Sequence, residues 1–83
     1  MARIEVCSVS MSDDKIETME VKLVRLGDRV IDRDTAVRWM KDGHSFIPQK
    51  DGDDGPALRL VEVEGEYYIR RNLDEIASDD VGL

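Results

Sequence analysis

"ALRLVEVEGEYYIRR", residues 57–71, alternates apolar and polar side chains on both sides of Glu64-Gly65. Alternation with a period of two marks strands, and an acidic residue followed by glycine tolerates the positive φ of a two-residue hairpin turn. With Glu64 and Gly65 in the turn, Val61 faces Tyr68, Leu60 faces Ile69 and Arg59 faces Arg70. One side of this hairpin then carries Leu58, Leu60, Tyr67 and Ile69, and the other carries Arg59, Val61, Val63, Tyr68 and Arg70.

Upstream, "KDGDDGP" at 50–56 reads as a polar loop, and 44–49 as an extended segment whose Pro48 places it at a sheet edge. Residues 32–44 change period. Ala36, Val37 and Met40 recur at helical spacing with Trp39 beside them, Asp32 or Asp34 offers an N-cap oxygen, and Gly43 supplies a stop, so a helix is expected over about 33–42. Residues 3–11 read as a first strand. Residues 15–26 read as a second, with Met19, Val21 and Leu23 on one face and Glu20 and Lys22 on the other. Gly27-Asp28 then turns into a short third strand over 29–31. Downstream, Asn72 caps a short helix over 73–78, and "DDVGL" at 79–83 reads as a tail. The order β-β-β-α-β-β-β implies an α+β domain spanning 1–83, a mostly antiparallel sheet of five or six strands with one helix on one face.

A chain of 83 residues buries only about 60–65% of its unfolded surface, so the core is thin and a homodimer would help it. The single Cys7 forms no internal disulfide, and no Cys/His set has zinc spacing, which points to a reducing, cytoplasmic setting with no metal and no cofactor. No apolar run reaches the length of a signal peptide or a membrane span.

The net charge of −7 is unevenly placed: residues 1–41 hold eight groups of each sign, whereas 42–83 hold four basic and eleven acidic. Such a field repels phosphates and favours basic protein surfaces, so direct nucleic-acid binding is disfavoured. Asp51, Asp53, Asp54, Glu62, Glu64 and Glu66 are the expected partner-binding carboxylates, with Trp39 either an exposed anchor or the border of the helix's apolar stripe. Asp51, Asp53 and Glu62 also match part of a calcium-loop pattern, which Gly55 and Pro56 break. Arg59, Tyr68, Arg70 and Arg71 form an alternative anion or nucleic-acid patch, although Glu62, Glu64 and Glu66 can absorb these arginines as cross-strand ion pairs. A third alternative is an enzyme built on His44 and Cys7. His44 is the only side chain titrating near neutrality unaided, but a His following a helix stop also has a structural use.

The segments "LGDRVI" (26–31), "DRDTAVRWMKDGH" (32–44), "GEYYIRR" (65–71) and "DDVGL" (79–83) together resemble the prokaryotic and phage-associated family called domain of unknown function 3892, over about residues 4–83. The chain departs from that pattern in lacking an Asn-Leu pair and a terminal Pro in its closing segment. The resemblance implies an order of elements and assigns no catalytic residue. The expected function is a non-catalytic acidic protein-binding module, in concrete form a phage or mobile-element protein that blocks a nucleic-acid-handling complex such as a CRISPR effector.

Overall fold

In the computed structural model, which describes residues 2–83, β1 (Arg3–Ser12) and β2 (Lys15–Leu23) form a long antiparallel ribbon closed at Asp13-Asp14. Its register shifts twice, between Val6 and Ser8 and between Ser10 and Met11. A bulge adds a residue to one strand, so the following side chains change face. The core-facing set therefore runs Ile4, Val6, Val9 on β1 and Ile16, Met19, Val21, Leu23 on β2, with an odd gap at each bulge. This is why only 19–23 alternate cleanly in the sequence.

β3 (Gly27–Asp32) pairs back along β2. The turn occupies 24–26, with Arg25 at φ 75°, so Gly27 opens the strand opposite Leu23 instead of forming the turn with Asp28. α1 (Arg33–Lys41) starts at Asp32, whose Oδ1 accepts from the Thr35 N–H at 2.8 Å. It ends in a Schellman motif: Gly43, at φ 98°, donates to the Met40 carbonyl at 3.0 Å, and His44 donates to that of Trp39 at 3.1 Å.

β4 (Ser45–Lys50) then lies beside β1 in parallel, from Arg3 opposite Ser45 to Val6 opposite Pro48. The Pro48 carbonyl points away from β1 and accepts from the Gly55 N–H at 2.7 Å, which puts its hydrogen-free nitrogen on the outer side too. Asp51 and Gly52, at φ 52° and 83°, make a two-residue turn into β5 (Asp53–Asp54), a strand inside the expected loop. The five-stranded sheet has the order β3-β2-β1-β4-β5 and is mixed, since β1 and β4 run parallel.

β6 (Arg59–Val63) and β7 (Glu66–Arg70) pair in the register the alternation implies, but they form a separate two-stranded sheet. The hairpin shares the inner face of the large sheet with the helix: Leu58, Leu60 and Ile69 join Ala36, Phe46 and the β1–β2 residues in one cluster. Cys7, Glu20, Lys22 and Val30 stand exposed on β1, β2 and β3.

The C-terminal segment corrects two expectations. Residues 73–78 form no helix, because Leu73 and Ile76 pack on nothing and six residues do not sustain helix nucleation by themselves. Residues 79–83 are not a tail. Val81, 4% exposed, belongs to the core, and Asp80 bridges Arg70 in parallel, donating its N–H to Ile69 while its carbonyl accepts from Arg71.

Between them lies Asp79, whose side chain is fully buried. Its Oδ2 accepts from the Ile16 N–H at 2.7 Å and Arg33 Nε at 2.9 Å; its Oδ1 accepts from the Ile69 N–H at 2.8 Å and Arg33 Nη2 at 3.1 Å. One carboxylate thus joins β2, β7 and the first residue of α1. Hydrogen bonding to this carboxylate raises the already high Arg33 pKa further. Removing one partner of a buried, hydrogen-bonded ion pair costs about 3–5 kcal/mol, against a total of about 4–12 kcal/mol for a chain this long. Asp79→Ala is expected to lose that amount in urea denaturation. A loss below about 1 kcal/mol, the scale of a surface pair, would show that the clasp is not structural.

Candidate functional site

The parallel pairing of β1 with β4 sends the turns that follow both strands to one end of the large sheet. Asp13-Asp14 and Asp51-Gly52-Asp53 therefore stand at the same end, where the Asp79 N–H also donates to the Asp14 carbonyl at 2.7 Å. The β6–β7 hairpin is tied nearby: Lys15 Nζ reaches Glu66 Oε2 at 3.2 Å, and the Tyr68 hydroxyl donates to the same oxygen at 2.9 Å. Those two bonds hold the Glu66 carboxyl below its ordinary range, and the bond to Glu66 raises the Tyr68 hydroxyl.

The expected carboxylates do not line a common cleft. Asp51, Asp53 and Asp54 border a shallow one of about 280 Å³ against Arg71 and residues 81–83, while Glu66 borders another with Lys15 and Arg33. Asp54 is bonded by Arg3 and by Gln49, which lower its pKa in that order. Asp51, Asp53, Glu62 and Glu64 are exposed, with no salt bridge among the described residues. Asp13, Asp51 and Glu64 hold left-handed backbone at φ 56°, 52° and 52°. Asp13 and Asp14, which sequence reasoning treats as punctuation, therefore join the acidic set through topology alone.

The arginine patch does not assemble on the surface. Arg70 is 5% exposed at its side chain, and its guanidinium donates to the Ser78 carbonyl at 2.8 Å, Ser78 Oγ at 3.0 Å and Asn72 Oδ1 at 3.2 Å. Tyr68 is buried against Arg33 and Lys15, each 5.7 Å from its ring centre. Of the four residues only Arg59 and Arg71 face solvent, and Arg71 lies 3.5 Å from Asp80. The hairpin glutamates pair with none of these arginines; the C-terminal segment takes Arg70 and Arg71.

Trp39 and His44 are half-buried and meet edge to face, ring centres 6.4 Å apart, as the side-chain contact that accompanies a Schellman motif. His44 Nδ1 accepts from the Ala2 N–H at 3.1 Å, tying the start of β1 to the end of α1. Cys7 sits at a bulge and opens onto a different cleft, with Gln49, Lys50 and Leu83. Although Cys7 is exposed, partial desolvation, then Asp28 and Glu20, raise its thiol pKa. Among the described residues no helix is long and apolar enough to cross a membrane. No protein-family model, curated protein or solved structure matches the chain.

The lowered carboxylates set a pH dependence. Asp32, through its Thr35 bonds, joins Asp54 and Glu66 in having a folded-state pKa below the unfolded one. Each contributes stability that is present above the ordinary carboxylate pKa and lost as pH falls through the lowered value. Below the pI of 4.6 the relief of negative self-repulsion is also over. The melting temperature is therefore expected to fall steadily below about pH 4. In Asp32→Asn, which caps without titrating, the fall should be smaller. A melting temperature that rises on acidification from about pH 4 to about pH 3 would contradict this.

Proposed function

We propose that the protein is a non-catalytic binding module whose acidic end docks on a basic protein surface. The observation that carries the reading is the gathering of Asp13, Asp14, Asp51 and Asp53 on turns at one end of the sheet, while Arg33 and Arg70 are drawn inward by the C-terminal segment. Burying cations and displaying carboxylates sharpens the outward negative field beyond what net charge alone provides. In its concrete form the partner is a nucleic-acid-handling complex, such as a CRISPR effector, whose phosphate-binding groove these carboxylates occupy, and the protein is the product of a phage or mobile element.

Affinity capture from host lysate at low and high salt tests this, the retained protein then being titrated with purified variants. Exposed charge pairs contribute about 0.2–1 kcal/mol each, so Asp13→Asn, Asp14→Asn, Asp51→Asn and Asp53→Asn together should weaken binding by about fourfold to about 900-fold, with the wild-type affinity falling as salt rises. Should the chain instead retain DNA or RNA, lose it on Arg59→Glu, and ignore the four neutralisations, the anion-binding alternative would replace this one.

A further inference from the structure

Exposed apolar side chains in a small domain cost hydration free energy unless something covers them. Two groups of them stand on this molecule. At the end of the sheet opposite the acidic turns, Val24 and Leu26 are 73% and 61% exposed, and with Ile4, Leu23, Trp39 and His44 they border a cleft of about 210 Å³. Arg3, Glu5, Lys22 and Arg25 line the adjoining cleft; Arg3 is taken by Asp54, whereas Lys22 and Arg25 make no salt bridge among the described residues and border this apolar corner with positive charge.

The second group is the loop 72–78, where Leu73 and Ile76, 65% and 51% exposed, flank Asp74 and Glu75. The loop is shaped in advance. Asn72 Oδ1 accepts from the Asp74 N–H at 3.2 Å, Ile76 donates to the Asp74 carbonyl at 2.9 Å, and Ser78 to that of Ile76 at 2.8 Å. Arg70 holds Asn72 and Ser78 with one guanidinium and so staples both ends. Such pre-shaping lowers the ordering cost of binding. An apolar pair enclosing two carboxylates matches an apolar cleft bordered by the two unbridged cations Lys22 and Arg25.

We propose that the loop 72–78 of one copy of this chain docks in the Trp39 cleft of a second copy. Leu73 and Ile76 enter the cleft, and Asp74 and Glu75 meet Lys22 and Arg25. Because the two surfaces differ, the contact either closes reciprocally into a dimer or continues head to tail.

Sedimentation equilibrium of the full chain over rising concentration tests the proposal. The mass should climb above the 9.4 kDa of the monomer. Leu73→Ser with Ile76→Ser, and separately Val24→Ser with Leu26→Ser, should each return it to the monomer; all four side chains are exposed, so circular dichroism should stay unchanged. Mixing the two variants should restore association, since each keeps one intact half of the contact. A second pair, Lys22→Glu with Arg25→Glu and Asp74→Lys with Glu75→Lys, should likewise fail separately and associate when mixed. A wild-type chain that stays at the monomer mass, variants that associate like wild type, or mixtures that remain monomeric would each overturn it.

Discussion

A single buried carboxylate, that of Asp79, holds together three pieces of chain that no hydrophobic contact orients by itself. The large sheet, the β6–β7 hairpin and the helix can slide over an apolar interface, because burial is non-directional. Four hydrogen bonds from Ile16, Ile69 and Arg33 remove that freedom. Ile69 pairs with Leu60 on one side and turns its N–H and carbonyl to residues 79 and 80 on the other, so the hairpin gains a third, irregular edge. The charge is tolerated inside because every acceptor lone pair that matters is used; no buried side-chain nitrogen or oxygen among the described residues lacks a partner.

Structure is legible in the sequence where local chemistry decides it. The β6–β7 register follows from alternation around Glu64-Gly65, and the α1 boundaries follow from Asp32 and Gly43, each a short-range rule. Where a long-range partner decides, structure is not legible. Asp79 looks like a solvated residue in a polar tail, and nothing near it in sequence announces Ile16, 63 residues away, or Arg33, 46 away. Arg70 is hidden for the same reason: strand alternation assigns it a face, but not the Ser78 and Asn72 acceptors that wrap around it. The bulges at Cys7 on β1 and at Glu17 on β2 hide the inward faces of these strands from any period-two template.

The candidate surfaces inherit these long-range choices. Four basic residues lie in 42–83, and the C-terminal segment removes Arg70 from solvent and pairs Arg71 with Asp80. The same bonds that complete the core therefore decide which charges are displayed. Trp39 and His44 illustrate the converse case. Their contact is a consequence of how a glycine-terminated helix stops, and it leaves the indole forming one wall of a cleft.

The polarity of the molecule rests finally on strand direction. An antiparallel β4 would carry the Asp51-Gly52 turn to the end occupied by Arg25 and Leu26, away from the Asp13-Asp14 turn. The parallel pairing with β1 arises because 27–44, comprising β3 and α1, form a crossover that returns the chain to the starting end before β4 begins. His44 marks the return: its backbone completes the helix stop, and its ring accepts the Ala2 N–H where β1 starts. The separation of an acidic end from an apolar, basic-rimmed end is thus fixed by the crossover, and both surfaces depend on the chain having come back to its origin at that residue.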